Sequence, residues 1–541
     1  MVTKVPSGGL TRVERSLVDH VVRGEWLNLV PEGEKVDEAA MRSWDKSRTI
    51  SAAVIRDILR GRLAPDPDPH GLRLRGAKIT GRLDLENLST DVNLELKDCF
   101  LEEGVVARDA RLAGIALTGC QLEHPSEPPL AAGGLTCTVL DLSGARVMGH
   151  ANAGIDLLSA RIGAGFDCSG ATVSNDSGPA LFADGLQGGL AIFLRGFTAS
   201  GTGEMGAVRV LGADAGITFE CDGATLSNKS GPALLADGLQ VGESVYLRNG
   251  FTATGAGEIG AVRLLGAHIG TQLDCGRATL SNDSGTALDV EGVQVGQNMF
   301  LTEQFTSTGG GAVPAVDLTS ARVGGTLFFD PARLEHKSDP HRRLSCDGLT
   351  YTGVPQRIPV RDWLDLLRNG TPRYAAQPYQ QLAAGYRAAG DDRQAREVLM
   401  AQRDDELTRT ETRWTERAWG KITKITLGYG YQPWRALLFL AGVVLASIVL
   451  AIVLGAHGAL AQTKDTASPG RPCTVSQRLS VGLDLNLPVG TSLARVGCDL
   501  TGNSASTSAT WLSNAGWVLR VLGWVFAALF VAGFTSAVRK N

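Results

Sequence analysis

The chain has 541 residues, and its 67 glycines and low aromatic content favour a thin repeated unit over several ordinary globular domains. Its formal net charge of −4 at pH 7 gives no concentrated excess of Lys and Arg, which argues against a nucleic-acid-binding surface. Nine cysteines are too few for a disulfide scaffold, and the seven that precede the C-terminal apolar segments are expected to be free thiols in a reducing compartment.

The N-terminal region, residues 1–68, is predicted to be a helical cap. Its first thirty residues alternate charged and apolar side chains and contain no apolar stretch typical of a cleaved signal peptide. Apolar residues recur three or four apart from Arg12 to Arg23 and from Ser51 to Arg62, and Ser51 is the expected N-cap. The proline-rich segment from Pro65 to Pro69 then prevents further helix.

The central region contains an internal repeat. Three stretches are nearly identical and start 53 and 54 residues apart: Ala171–Gly178, Ala224–Gly231 and Ala278–Gly285. Each of these periods contains a half-period, because the apolar residues from Leu234 to Ala253 echo those from Val208 to Leu226. The repeating unit is therefore 26 to 28 residues long.

Each unit carries four pairs of small or apolar residues at positions i and i+2. One unit has the pairs Ile155/Leu157, Ala160/Ile162, Phe166/Cys168 and Ala171/Val173. An i, i+2 spacing places both side chains on one face of an extended chain, and Gly or Ser between the pairs permits a sharp corner. One unit is thus expected to form one four-sided coil of a solenoid over residues 69–355, with weaker units between residues 92 and 150.

The Ala-x-Ile/Leu corners resemble those of pentapeptide-repeat proteins. This resemblance implies a four-sided right-handed parallel β-helix, although six residues separate Ile162 from Cys168 where a strict repeat would have five. A sandwich of short strands is the alternative. The predicted fold class is therefore mainly β, a right-handed β-helix solenoid with a helical N-terminal cap, a C-terminal helical hairpin and two transmembrane helices.

Residues 356–430 are predicted to form a helical hairpin and a juxtamembrane stalk. The helical pattern near Trp363 is followed by a helix, a turn at Gly390 and a second helix that reaches Leu399. The pair resembles a single tetratricopeptide-like hairpin over some 30 residues. A single such unit cannot bury its own apolar face, so a C-terminal cap is favoured over a peptide-binding groove.

Two apolar segments near the C-terminus predict transmembrane helices. Ala436 to Ala456 is an uncharged run of 21 residues inside the predicted segment 431–457. The second run, Trp511 to Ala537 inside 511–541, is apolar apart from one charged residue, Arg520. Lys and Arg residues concentrate before the first helix and after the second, which predicts a multi-pass inner-membrane protein with both termini in the cytoplasm.

The intervening segment, residues 458–510, is then extracytoplasmic. In that compartment Cys473 and Cys498 are candidates for a disulfide that closes a 26-residue ring, and two free thiols are the alternative. Arg520 is placed near the start of the second helix and is expected to reach the headgroup region, with a pore or relay role as the alternative.

Two glycine-rich stretches match the dinucleotide-binding fingerprint: Gly201, Gly203 and Gly206, and Gly255, Gly257 and Gly260. In a nucleotide site these glycines open a helix, whereas here each stretch precedes the first strand of a coil and recurs at the repeat period. A structural loop is therefore favoured and no cofactor is predicted. The start from Gly71 to Leu85 resembles bacterial chains named membrane-associated oxidoreductases, but no residue of the sequence supports that activity.

Other residues with reactive side chains are interpreted as structural. Cys168, Cys221 and Cys275 occupy one repeat position on alternate coils, nearly 10 Å apart, which is too far for a disulfide or a shared metal ion. His336, Asp339, His341 and Cys346 form a weak candidate metal cluster, for which a solvated loop is the favoured interpretation. The stretch Thr426–Gly430 resembles a potassium-channel filter but precedes the first membrane helix, so an interfacial role is favoured.

The sequence predicts no catalytic constellation. The preferred functional hypothesis is a membrane-anchored cytoplasmic scaffold that binds a protein partner. The second hypothesis is a subunit of an oligomeric two-helix channel or mechanosensor, with a segment that re-enters the membrane between Leu479 and Val489. The third is the oxidoreductase. The expected partners are the membrane, a cytoplasmic protein and a second copy of the chain.

Overall fold

The computed structural model describes residues 9–34, 36–411, 413–462, 470–485, 497–500 and 507–540, the last range with side chains from 510 to 535. The chain divides into two compact units, Met1–Ala395 and Arg396–Asn541. Within these units the helices are α1 Arg12–Arg23, α2 Glu38–Ser43, α3 Ala52–Leu59, α4 Val360–Asn369, α5 Gln377–Ala388, α6 Asp392–Arg409, α7 Trp414–Leu427, α8 Trp434–Ala456, α9 Val475–Asp484 and α10 Thr507–Lys540, with short 3₁₀ helices at Pro340–Arg342 and Gly428–Gly430.

The first unit is a parallel β-solenoid of about 11 turns, which confirms the predicted fold class. Each turn has four sides, numbered here in the order in which the chain meets them. Side 1 consists of Leu27–Asn28, Leu72–Arg75, Leu94–Lys97, Gly114–Thr118, Thr136–Asp141, Arg161–Asp167, Ala191–Phe193, Thr218–Glu220, Ser244–Tyr246, Gln272–Asp274, Asn298–Leu301 and Leu327–Phe329.

Side 2 has the same number of strands. They are Thr49–Ser51, Lys78–Thr80, Phe100–Leu101, Gln121–Glu123, Arg146–Gly149, Thr172–Asn175, Thr198–Gly201, Thr225–Asn228, Thr252–Gly255, Thr279–Asn282, Thr306–Gly309 and Arg333–His336. Side 3 consists of Leu83–Asp84, Val105–Val106, Leu130–Ala131, Ile155–Asp156, Leu181–Phe182, Val208–Arg209, Leu234–Leu235, Val262–Arg263, Leu288–Asp289, Val316–Asp317 and Leu344–Ser345.

Side 4 has the fewest strands. Its strands are Ser89–Thr90, Arg111–Leu112, Gln240–Val241, His268–Ile269, Gln294–Val295 and Arg322–Val323. The strands Thr136–Asp141 and Arg161–Asp167 begin on side 4 and continue around the corner into side 1, and single bridges at Gln187, Asp214 and Thr350 complete the ladder. Four sides are therefore present along the solenoid.

The register of the sides follows the predicted half-period. Leu234 pairs with Val208, Val245 with Phe219 and Ala253 with Leu226, as the sequence echo requires. The paired apolar residues lie inside the coil, where Phe166, Phe197 and Phe219 are fully buried. Because each strand pairs with the coils before and after it, backbone groups are satisfied by stacking. The coils between residues 92 and 150, predicted to be weaker, have the same four-sided pairing.

Helices α1 to α3 and two short strands cover the N-terminal end of the solenoid. Leu27–Asn28 extends side 1 and Thr49–Ser51 extends side 2, since the first coil presents unpaired strand edges there. Ser51 occupies the N-cap position of α3 without a side-chain capping bond. Its backbone N–H instead donates to Glu14 of α1 at 3.1 Å.

Helices α4 and α5 cover the other end of the solenoid. The ring of Trp363 in α4 contacts that of Phe329 edge-on, at 5.1 Å between centroids, and is almost fully buried. In α5, Gln377 and Gln381 donate to the carbonyls of Leu349 and Tyr351 at 2.8 and 2.6 Å. These side chains donate to carbonyls that receive no hydrogen bond from a further coil.

The second unit contains the end of α6, helices α7 to α10, and a two-stranded antiparallel ribbon of Leu460–Gln462 and Cys498–Leu500. Trp434–Ala456 in α8 and Thr510–Thr535 in α10 are each long and apolar enough to span a membrane, as predicted. The two helices pack antiparallel: Phe439 stacks on Phe526 at 5.4 Å between ring centroids.

Candidate functional site

The outer faces of the solenoid carry residues in regular ladders, and side 1 alternates acidic and aromatic residues. Along six coils the order is Asp167, Phe193, Glu220, Tyr246, Asp274 and Phe300. Arg248 lies 3.3 Å from Asp222 and 3.0 Å from Asp274, and its guanidinium covers the Tyr246 ring at 4.0 Å. Arg195 pairs with Glu220 in the same way at 2.8 Å. These charges of side 1 are therefore balanced within the side.

Side 3 also pairs its charges across coils. Arg209 contacts Asp184 at 2.7 Å, and Arg263 lies 3.1 Å from Asp237 and 3.9 Å from Asp289. Burial raises the pKa of Asp289 to about 6, with a further increase from the neighbouring carboxylate of Asp317. A partly buried carboxyl group in a weak ion pair thus holds its proton more tightly than a solvated one.

Side 4 differs because its charged residues are unpaired. Its outward ladder runs through Arg111, Thr136, Arg161, Gln187, Asp214, Gln240, His268, Gln294, Arg322 and Thr350, all exposed. Within residues 36–411, none of Arg111, Arg161 and Arg322 forms an ion pair, and the carboxylate of Asp214 accepts only from the N–H of Gly216 at 2.8 Å. Side 4 therefore presents net positive charge to solvent.

A groove of about 530 Å³ runs beside the later part of this ladder. Its floor includes Gly242, Gly270 and Gly296, and its rim includes Gln240, His268 and Gln294. A Cβ atom at any of these glycines would overlap the carbonyl oxygen of the glycine one coil earlier. The floor of the groove therefore carries no side chains at these positions, because the backbones of successive coils stack closely there. Main-chain groups in the groove are accessible beside the polar side chains of its rim.

Side 2 carries an uncharged array of hydroxyl groups. One row contains Thr172, Thr198, Thr225, Thr252, Thr279 and Thr306, and the other Ser174, Ser200, Ser227, Thr254, Ser281 and Thr308. These hydroxyl rows were not predicted from the sequence, although the Thr-x-Ser pattern that encodes them is present in all three near-identical stretches. Cross-strand Thr and Ser pairs stabilise a sheet, so the array has a structural role.

The two glycine fingerprints are turns between sides 2 and 3. Gly201 ends a side 2 strand and is followed, after Gly206, by the side 3 strand Val208–Arg209; Gly255 is placed in the same way. A Cβ atom at Gly201 would lie 2.7 Å from the Cα of Ala207. The N–H of Gly203 donates to the Ser230 hydroxyl at 2.7 Å. These glycines satisfy coil packing, and no helix begins after them to hold a pyrophosphate.

These glycine turns alternate with asparagine turns along the stack. The column at the end of side 2 reads Gly149, Asn175, Gly201, Asn228, Gly255, Asn282, Gly309 and His336. Asn282 is fully buried and donates to the carbonyls of Gly257 and Thr286 at 3.2 and 3.1 Å. Each asparagine thus bridges its own turn to the glycine turn one coil earlier.

The weak metal cluster is not assembled. His336 ends the column just described, and its Nδ1 atom accepts from the N–H of Asp339 at 3.0 Å. Asp339 in turn caps the 3₁₀ turn that contains His341, while burial raises the pKa of the Cys346 thiol to about 12. In the part of the chain that the structure describes, no three His, Cys, Asp or Glu residues are placed to hold a metal ion.

The repeat cysteines lie inside the solenoid. Cys168, Cys221 and Cys275 are fully buried and alternate with leucines on successive coils, and burial raises the pKa of each thiol. The stretch Thr426–Gly430, which resembles a potassium-channel filter in sequence, forms the end of α7 and a 3₁₀ turn. It therefore does not have the extended conformation of a filter.

Helix α9 of the second unit overlaps the re-entrant segment predicted from Leu479 to Val489. Helix α9 packs along α8: a Cβ atom at Gly482 would lie 2.6 Å from the Cα of Ile448, and Ser447 Oγ donates to the Gly482 carbonyl at 2.9 Å. Ser447 is 13 residues into the 23-residue helix α8. The predicted re-entrant segment therefore lies on α9 up to Leu485, and its remaining residues fall outside the described part of the chain.

Arg520 of α10 contacts the end of α9. Its Nε atom donates to the Leu485 carbonyl at 3.2 Å. Helix α10 begins at Thr507, four residues before the predicted Trp511. Its Phe526 lies beside Phe439 of α8, because the two rings stack. Arg520 precedes Phe526 by six residues, so it lies about 9 Å further along and level with the middle of α8.

A disulfide joins Cys473, just before α9, to Cys498 of the short ribbon, with 6.2 Å between their Cα atoms. A cavity of about 620 Å³ lies beside it and is lined by Asp484, Asp499, Ser513, Trp517 and Arg520, among others.

No protein-family model, curated protein or solved structure matches the chain.

Proposed function

We propose that the chain is a membrane-anchored scaffold whose side 4 binds an acidic segment of a protein partner. The observation that carries the proposal is the unpaired charge of side 4: Arg111, Arg161 and Arg322 form no ion pair in the described solenoid, whereas Arg248 and Arg263 on sides 1 and 3 each contact two carboxylates. A surface whose charges are not balanced internally is available for an oppositely charged partner.

The geometry of the ladder specifies an extended partner. Coils are spaced like β-strands, so Arg111 and Arg161 are about 10 Å apart, and Asp214 and Arg322 are about 19 Å apart. The intervening positions Gln240, His268 and Gln294 offer hydrogen bonds without fixed charge. An extended segment of about six residues, acidic opposite Arg322, matches this length and charge pattern.

The anchor is supplied by α8 and α10. Under this proposal both helices cross the cytoplasmic membrane, and the solenoid lies on the side where Lys and Arg flank the helices. The regular coil stacking resembles that of pentapeptide-repeat proteins. Under this proposal the solenoid is a member of that family. The glycine turns give no support to an oxidoreductase, since they are closed by packing against Ala207 and Ala261.

Site-specific photo-crosslinking in the full-length protein in its native membrane tests the scaffold. A photo-reactive residue at Gln294 on side 4 is compared with one at Thr225 on side 2. We expect a discrete protein adduct at Gln294 only, and we expect Arg322→Gln to reduce it about tenfold. Equal adducts at both positions, or an adduct that survives the substitution, would contradict the proposal.

A second candidate function is a two-helix pore, and α9 is the observation that favours it. A short helix that ends beside the middle of α8 has the position of a re-entrant pore helix between two membrane helices. Planar-bilayer recordings of the purified protein should then show conductance under voltage or membrane tension. Electrically silent bilayers that contain correctly inserted protein would eliminate this candidate and leave the scaffold unaffected.

A further inference from the structure

Helix α7 leaves a row of large apolar side chains exposed, called here the apolar row. Its members are between 48% and 79% exposed: Trp414, Trp419, Ile422 and Ile425. At about 100° per residue they occupy roughly 140° of the helix surface. The opposite side of α7 packs against α6, where a Cβ atom at Gly420 would lie 2.4 Å from a side-chain carbon of Leu407. The apolar row is therefore not part of the core of the second unit.

Positive charge borders the apolar row. Lys421 lies on nearly the same side of α7 as Trp414, about two turns later, and it is exposed and forms no ion pair with the described residues. Lys424, by contrast, pairs with Asp404 of α6 at 2.7 Å. Tryptophan rings and unpaired basic side chains beside an apolar strip are typical of helices that lie in a membrane surface. There the rings sit among the headgroups and the cations meet lipid phosphates.

Helix α7 lies beside one end of the candidate membrane span of α10, Thr510–Thr535. A Cβ atom at Gly533, near the end of that span, would lie 2.9 Å from the side chain of Leu427, the last residue of α7. Trp419, two turns earlier in α7, lines a cavity of about 570 Å³ together with Leu529 of α10. Both the middle and the end of α7 are therefore close to the level at which α10 leaves its apolar span.

The pairing of α7 with α6 determines how α7 can be oriented at that level. The two helices run antiparallel, because Gly428 faces Met400 and Gly420 faces Leu407. Towards its start α6 continues past Met400 to the charged residue Arg396. If the pair stood along the membrane normal, Arg396 would lie about 6 Å deeper than Gly428, in the hydrocarbon layer, where an arginine is costly. A pair that lies along the surface avoids this cost.

We propose that α7 lies in the plane of the cytoplasmic membrane surface, with the apolar row inserted into the leaflet and Lys421 in contact with anionic lipid headgroups. The inference rests on the membrane placement of α8 and α10 in the proposed function, and it adds the lipid that the stalk contacts. The leaflet is the occupant of this face because Leu427 already lies level with the end of the α10 span. A protein partner would have to reach the same depth.

Fluorescence quenching in the full-length protein tests the insertion, in nanodiscs of phosphatidylcholine and phosphatidylglycerol. An environment-sensitive fluorophore is attached at Ile422→Cys, since the seven free cysteines of the chain are buried. Lipids that carry a nitroxide near the headgroup end of the acyl chain should quench this probe about threefold more than a probe at Glu416→Cys. Glu416 is the matched control, because it is exposed on the far side of α7. Ile425→Cys provides a second position in the apolar row.

A probe at Leu445→Cys separates this inference from the proposed function. Leu445 is exposed in the middle of α8, so lipids with a deep nitroxide should quench a probe there. Absence of that quenching would overturn the membrane placement and the inference with it. Quenching at Leu445 together with equal quenching at Ile422 and Glu416 would overturn the inference alone, and so would an apolar row shielded from lipid by a second copy of the chain.

The same probe at Ile422 tests the anionic lipid. Nanodiscs of phosphatidylcholine alone, or the substitution Lys421→Gln, should each lower its quenching about twofold, because the attraction between Lys421 and the headgroups is lost. Quenching at Ile422 that changes in neither case would overturn the assignment to anionic lipid.

Discussion

Replacement of Asn282 by alanine should destabilise the solenoid by about 2–4 kcal/mol. The buried Asn282 amide donates to the carbonyls of Gly257, Ile259 and Thr286 at 3.2, 3.0 and 3.1 Å, and its oxygen accepts from the N–H of Ser284 at 3.1 Å. Alanine removes all four bonds at once.

The magnitude depends on which partners can find water. Gly257 and Ile259 belong to a partly exposed turn, so their carbonyls can be rehydrated at little cost. Thr286 is buried, but its carbonyl also accepts from the N–H of Ala261 at 2.8 Å and so keeps a partner. The four lost bonds are each worth a net of about 0.5–1 kcal/mol, which gives the expected range.

Chemical denaturation of the full-length protein, followed by far-ultraviolet circular dichroism, measures this loss. Thr279→Ala is the matched control, because Thr279 lies on the same strand but is exposed, and it should change the free energy of unfolding by less than about 0.5 kcal/mol. Hydrogen exchange should accelerate first in the two coils that Asn282 joins. A free energy for Asn282→Ala that matches the control would refute the bridging role of the asparagine column.

Three further predictions concern other features. Gly270→Ala should destabilise the solenoid strongly, because its Cβ would overlap the carbonyl of Gly242, whereas Gly163→Ala, with 3.8 Å to its nearest neighbour, should be tolerated; similar Tm values for the two would contradict close backbone stacking. The pKa of Asp289 is about 6 in the folded chain and 3.8 for a free side chain, so its contribution is present below about pH 4 and is lost as pH rises through 6. Relative to Asp289→Asn, the wild type should lose about 2–3 kcal/mol of unfolding free energy between pH 4 and 7, and parallel pH profiles of the two proteins would exclude the effect. Cys473→Ser should lower the stability of the second unit by about 2–4 kcal/mol and leave the solenoid transition unchanged, as differential scanning calorimetry with and without reductant can show.

The sequence predicted the solenoid because the inside of each coil is defined by local spacing. An apolar pair such as Phe166 and Cys168 specifies an inward strand without reference to distant residues, and exact repeats at 53 and 54 residues fix the stacking. The register of Val245 against Phe219 follows directly. The same reasoning placed α8, because its uncharged run from Ala436 to Ala456 needs no tertiary context.

What the sequence did not predict depends on partners that are distant in the chain. Leu27–Asn28 and Thr49–Ser51 are too short to show a period, and they become strands only because the first coil offers an edge. The start of α10 at Thr507, before the expected Trp511, and the contact of Arg520 with the Leu485 carbonyl likewise have no local signal.

The alternation of asparagine and glycine turns restricts how the solenoid can change in length. Loss of a single coil would bring two asparagine turns, or two glycine turns, next to each other, and Asn228 would then meet no glycine turn to accept its amide. Between Gly149 and His336, insertions and deletions that preserve these bridges must therefore remove or add coils in pairs. In this part of the solenoid, evolution or protein engineering can accordingly change the length only in steps of about 10 Å.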